Sequence, residues 1–191
     1  AIEGLQALGQ KVPMEPDLVA LLSDSEPQIR RRAALALGRL GLKEVVEPLI
    51  SSLGDPQVEV RQMSAFALGL VGDIQATSAL VAALEDFEPI VQGRAAEALG
   101  RIGAVDAGPA IGRLVSSHIT AAYDLDPDDL SYPLSAEVEA FRLALYALGT
   151  LGAYDPLAEA VLQPNGQPIL WWWPVAYALQ STGDPRALEA L

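Results

Sequence analysis

Residues 24–41 read DSEPQIRRRAALALGRLG, residues 55–72 read DPQVEVRQMSAFALGLVG, and residues 86–103 read DFEPIVQGRAAEALGRIG. Asp24, Asp55 and Asp86 stand 31 residues apart, as do Gly38, Gly69 and Gly100, and Gly41, Gly72 and Gly103. Two later stretches, VEAFRLALYALGTLG (138–152) and WWWPVAYALQSTG (171–183), keep the pattern and end at Gly152 and Gly183, again 31 apart. Self-similarity at a fixed period of this size marks a repeat array rather than a conventional globular core.

Each unit reads as two helices. The longer opens on an acid or serine with an early proline (Asp55-Pro56, Ser25 with Pro27, Asp86 with Pro89). A side-chain oxygen there accepts an orphan backbone N–H, and proline needs no donor in a first turn. Apolar residues follow at helical spacing, such as Val60, Ala67 and Leu68, then Val91, Ala95 and Leu99. The G-x-x-G pair ends the helix and turns the chain. A shorter amphipathic helix follows, in KEVVEPLISSL from Lys43, IQATSALVAAL from Ile74 and DAGPAIGRLV from Asp106.

One such pair cannot bury its own apolar face, but stacked pairs can. The expected fold is therefore all-α: a right-handed α-solenoid of about five helix pairs, one domain over 1–191 with a loop insertion at 119–136. The Asp at each unit start, Arg30 and Arg61 six residues later, and the ALG strings at Ala36, Ala67, Ala98 and Ala147 resemble the HEAT-like repeats of the bilin-lyase (PBS-lyase) type. That resemblance implies a structural ladder, in which Arg30 and Arg61 pair with an Asp among Asp24, Asp55 and Asp86 of an adjoining unit. VQGRAAEALG from Val91 and WWPVAYALQ from Trp172 are also similar to helical-repeat portions of bacterial proteins that carry a cyclophilin-type peptidyl-prolyl isomerase domain. No such domain lies in these residues. IEGLQALG at Ile2 reads as the tail of a long helix and DPRALEAL from Asp184 as the start of another pair. Flanking repeats or a further domain of the same chain are therefore expected.

Charge narrows the function. The 191 residues carry a net charge of −13, which disfavours a phosphate-binding surface and therefore nucleic acid. Residues 103–191 hold only Arg113, Arg142 and Arg186 against eleven acids, which speaks against a HEAT-like DNA glycosylase. The longest uncharged apolar stretches are about half a membrane span, so membrane insertion is not expected. No cysteine is present, so disulfides and thiolate chemistry are excluded. His118 is the only histidine, too few for a di-iron hydroxylase, and reads as a surface residue. No nucleophile–base arrangement or phosphate loop stands out, and neither a catalytic residue nor a cofactor is predicted. Compartment is left open between the bacterial cytoplasm and the cell envelope.

Two places break the rhythm. Gly100 and Gly149 are 49 apart, and the excess falls in SSHITAAYDLDPDDLSYPLSAE. Insertions in solenoids collect on one face, often the binding face. Tyr123, Tyr132, Asp126 and Asp128 are therefore candidate partner-binding residues. An EF-hand beginning at Asp124 would need Gly where Asp129 stands and Glu where Ser135 stands, so no metal site is predicted.

The second break is ILWWWPVAYALQ, 169–180. Aligning Gln180 with Gly149 and Gly38 puts Trp171 at the core position of Ile29, Val60 and Val91, Trp172 at the position of Arg30 and Arg61, and Trp173 at the position of Arg31, Gln62 and Gly93, which is expected to be exposed. Pro174 would break a helix interior, so the fifth long helix is expected to start near Trp173 or to kink there. The three rings either fill the gap beside the QPNGQP loop, or Trp173 with Trp172 docks a partner. The reading that follows is a non-catalytic scaffold binding an unidentified protein. Its alternative is a substrate-positioning module, bilin-lyase-like or linked to an isomerase domain outside these residues.

Overall fold

A computed structural model describes residues 16–123, 125 and 133–191. Among the described residues ten α-helices alternate short and long. The short ones are α1 (Pro16–Ala20), α3 (Val46–Ser51), α5 (Thr77–Ala83), α7 (Gly108–His118) and α9 (Tyr154–Val161). The long ones are α2 (Pro27–Leu40), α4 (Val58–Val71), α6 (Pro89–Ile102), α8 (Ala136–Leu151) and α10 (Trp173–Ser181). Among the described residues there is no strand, only one isolated bridge between Leu162 and Pro168. Each long helix packs on the next, so the molecule is an all-α solenoid with a long-helix layer and a short-helix layer. The core runs between the layers. Leu37, Leu68, Leu99, Leu148 and Leu179 supply one buried row, and Leu49, Leu80, Ile111 and Leu157 face them from the short helices.

The two glycines of each G-x-x-G do different work. The second stops the helix: Gly41, Gly72, Gly103 and Gly152 cap their helices with φ of 63°, 73°, 78° and 65°. A side chain would be strained there. The first lets backbones touch. A Cβ on Gly38 would lie 2.7 Å from Ala67 Cα, on Gly69 2.9 Å from Ala98 Cα, and on Gly100 3.0 Å from Ala147 Cα. The fifth long helix carries exposed Gln180 at this position.

The helix starts differ from the sequence expectation. The N-caps are Glu26, Gln57 and Glu88, without side-chain capping bonds. Asp24, Asp55 and Asp86 lie two residues earlier. Their Oδ1 atoms accept the backbone N–H of Glu26, Gln57 and Glu88 at 2.8, 2.9 and 2.9 Å. A carboxylate two residues ahead folds the turn and keeps oxygen capacity for a second donor.

That second donor is an arginine of the preceding unit. Arg30 Nε and Nη2 donate to Asp55 Oδ2 and Oδ1 at 2.6 and 2.9 Å, and Arg61 repeats this on Asp86 at 2.8 Å for both. Each Nη1 also donates to a carbonyl of its own unit, Asp24 O or Asp55 O. These forks hold together the N-terminal ends of α2, α4 and α6. The Arg30 fork holds the Asp55 carboxyl below the usual range. Burial alone would raise Asp86, but the Arg61 fork, the Glu88 N–H and the arginine charge outweigh it and lower it as well. A lowered carboxyl contributes stability that is complete above its unfolded value near 3.9 and is lost as pH falls through the folded one. Stability should thus decline from about pH 4 downwards. Arg61→Met should cost about 2 kcal/mol at pH 7 and flatten that acid limb, as read by urea titrations at pH 3 and pH 7.

Candidate functional site

The long helices present one side to solvent, and the repeat puts the same positions there each time. Leu35, Phe66, Glu97, Tyr146 and Tyr177 form one row across α2, α4, α6, α8 and α10. From Phe66 onward this row carries two clusters of rings and guanidinium groups, one on α4 and α6 and one on α8 and α10. The Arg94 and Arg101 guanidiniums each lie 5.6 Å from the Phe66 ring centre. Both also pair with Glu97, at 2.7 Å and 2.9 Å. Arg142 stands 5.2 Å over Tyr146, which meets Tyr177 edge-on at 5.4 Å and Trp173 at 6.3 Å. Between α6 and α8 the surface sinks into a groove of about 450 Å³ walled by Arg94, Glu97, Arg101, Glu139, Arg142 and Tyr146.

The groove's charges are held in place by pairing. Glu139 is buried and accepts from Arg142 at 2.7 and 2.8 Å. That bond, opposed by burial, raises the Arg142 pKa, so Arg142 is a permanent cation. Rings and arginines of this kind are the residues that dominate protein–protein contacts. Among the described residues no cluster of acids and histidine is arranged to hold a metal, and no helix is long and apolar enough to cross a membrane.

The tryptophans need two corrections, one to Trp171 as a core residue and one to Trp172 as a candidate docking residue. Trp171, expected in the core, is 62% exposed, whereas Trp172 is 5% exposed and Trp173 46%. The helix begins only at Trp173, with Pro174 in its first turn and Trp172 extended at φ −133°, ψ 132°. Helical register therefore does not reach Trp171. The segment alternates as a strand does: Pro168 and Trp172 are buried, and Ile169, Trp171 and Trp173 are exposed. Trp172 stacks on Phe141 at 5.8 Å and 11°.

Phe141 and Trp172 occupy the position that holds Arg30 and Arg61 in the first units, so the polar ladder gives way to aromatic packing. The change begins at Gln92, which donates to Asp86 O and meets His118 Nε2 at 2.7 Å. His118 is thus half-buried and bonded rather than a plain surface residue, and burial lowers its pKa despite nearby Glu137. Ser135 replaces the Asp and caps α8.

Tyr123 is exposed at the mouth of the insert. Asp126, Asp128 and Tyr132 lie outside the described residues. Sequence reasoning passed over Phe66, Arg94, Arg101, Arg142, Tyr146 and Tyr177. Reading the 31-residue alignment down its columns would have shown the row.

The sequence model of HEAT repeats matches residues 1–59, 15–100 and 46–119, more than half of the chain. The chain belongs to the HEAT-repeat family. The array continues beyond the last match, through α8 to α10. None of the curated proteins matches. Among solved structures, the complex of CpcE and CpcF of the phycocyanin lyase from Nostoc is 25% identical, with a TM-score of 0.66 over 94% of this chain and 72% of that one. An engineered protein (21%, TM-score 0.51, 87% of this chain and 78% of that one) shares the fold. Human deoxyhypusine hydroxylase, solved with glycerol, does so too (21%, TM-score 0.54, 96% and 67%). These comparisons support the HEAT-like, PBS-lyase-type resemblance and lend nothing to the isomerase-linked one.

Proposed function

We propose that the chain is a non-catalytic scaffold whose outer long-helix face binds another protein. The observation that carries this reading is the row from Phe66 to Tyr177, where half-buried and exposed rings and arginines pack against one another on α4 and α6 and again on α8 and α10. Rigid side chains on a helical layer lose little entropy on contact. The family's architecture and the two-chain nature of the lyase complex agree with it. The test compares two baits by quantitative co-purification, the parent chain and a Tyr146→Ala/Trp173→Ala variant with an unchanged melting curve. Proteins retained by the parent should fall at least tenfold with the variant, since hot-spot residues contribute about 2 kcal/mol or more each. Equal retention by both baits removes this face from the proposal.

A second reading rests on the similarity to the lyase complex alone: the chain is one half of a bilin-handling pair. Arginines beside rings suit a flat anionic chromophore. Titrating the purified chain with a linear bilin and recording visible absorbance decides it. No spectral change at equimolar chain and bilin eliminates this reading.

A further inference from the structure

The charge of this protein is sorted by layer. The five long helices hold eight of the twelve Lys and Arg residues but only four of the 25 acids, a local balance of +4. Everything else in the chain sums to −17. α2 contains four arginines and no acid. Arg30 and Arg61 are consumed by the ladder. Arg32 and Arg39 on α2, and Arg94 and Arg101 on α6, occupy matching positions on the outer face. Between them α4 presents Met63, Phe66 and Leu70. The face is therefore basic, apolar, basic, and then aromatic at Tyr146, Trp173 and Tyr177.

We infer that the segment bound on this face is an acidic polypeptide with apolar side chains between its carboxylates; this rests on the scaffold reading above. The helices that carry the arginines, α2 and α6, stand two helix spacings apart, about 16–20 Å, with α4 midway, and the Arg94 and Arg101 side chains lean over Phe66 of α4. An extended chain advances about 3.3 Å per residue, so acid, apolar residue and acid should recur at intervals of about three residues. Glu97 competes for the same donors, but it engages one nitrogen of Arg94 and two of Arg101. Each guanidinium has five N–H groups, so a second carboxylate can share the fork. The rest of the surface repels an acidic partner, and this confines docking to one face and one orientation.

The probe is a fluorescein-labelled 15-residue peptide with Glu every six residues and Leu or Phe midway, followed by anisotropy in 50 mM salt. Its counterparts replace every Glu by Gln or by Lys, and a labelled 15-nucleotide oligothymidine is the fourth ligand. The Glu peptide should bind at least tenfold tighter than the Gln peptide, and lose that margin in 0.5 M salt and in Arg94→Gln/Arg101→Gln. Arg113→Gln on α7 should change nothing. Glu97→Gln, which frees donors, should tighten binding several-fold, a gain that misfolding cannot mimic. Equal or tighter binding of the Gln or Lys peptide, still sensitive to Tyr146→Ala/Trp173→Ala, overturns the acidic partner and keeps the scaffold. Tighter binding of the oligothymidine with the same arginine dependence overturns it in favour of a phosphate-reading face. If no ligand binds, the acidic partner falls, and the co-purification comparison judges the scaffold separately.

Discussion

Gly93→Ala should destabilise the protein by about 1–3 kcal/mol, the opposite of what the same change does in most helices. In an exposed helix interior, replacing Gly by Ala gains about 1 kcal/mol, because the unfolded chain loses freedom and the helix loses none. Here the added Cβ would lie 2.7 Å from Ala140 Cα and 3.2 Å from its Cβ. Backbone cannot swing aside as a side-chain tip can, so α6 and α8 must separate. The junction has no ladder to absorb this, because Gln92 and Ser135 stand where Arg and Asp stand in the earlier units. Gly93 and Gly100 are also two turns apart, so α8 touches α6 along most of its length, and separating one end lifts the other. Gly54→Ala, where nothing lies within 4 Å and φ is not left-handed, is the control and should be neutral or slightly stabilising. Urea midpoints of both variants check the pair, and a Gly93→Ala protein at least as stable as the parent removes the close-contact account of this junction.

The same junction shows where sequence reading succeeds and where it stops. Helix existence, pairing and termination were legible because the G-x-x-G pair and the apolar spacing recur in four units and in large part in a fifth, and each of those paired glycines has a reason. The exposed row was legible in principle but hidden in practice. Phe66, Glu97 and Tyr146 share a column without sharing a chemistry, so no motif announces them. Pairing across helices makes the site: Arg94 reaches Glu97 along α6 and Phe66 on α4 at once, and the sequence separation of those contacts says nothing about their distance. The Asp positions were misread as N-caps because capping chemistry and the two-residue turn before a cap use the same residue type. Only the Arg forks in the folded chain show why the earlier position is needed.

Trp172→Ala should cost about 3–5 kcal/mol, the range for removing a large buried aromatic, whereas Trp171→Ala should change stability by less than about 0.5 kcal/mol. Their neighbourhood in sequence makes the contrast diagnostic. Trp172 is 5% exposed and stacked on Phe141, so truncation opens a cavity between α8 and α10 and strips a ring partner from the core. Besides the Trp172 stack, α10 meets α8 through Gly149 against Ala178 and Ser181 and through Tyr146 against Trp173 and Tyr177. α10 is also short, nine residues against sixteen for α8, with few turns to hold it once the ring is gone. Trp172→Phe should recover most of the loss, because a ring remains to stack, while Trp172→Arg should not. An arginine restores the residue type of the first units, yet Phe141 offers it no carboxylate, and burying an unpaired guanidinium costs more than the cavity. Thermal melts followed by circular dichroism at 222 nm give the order parent, Trp171→Ala, Trp172→Phe, then Trp172→Ala and Trp172→Arg. A melting curve for Trp172→Ala that overlays Trp171→Ala would mean that the rings alternate in the opposite sense and that Trp171 carries the contact.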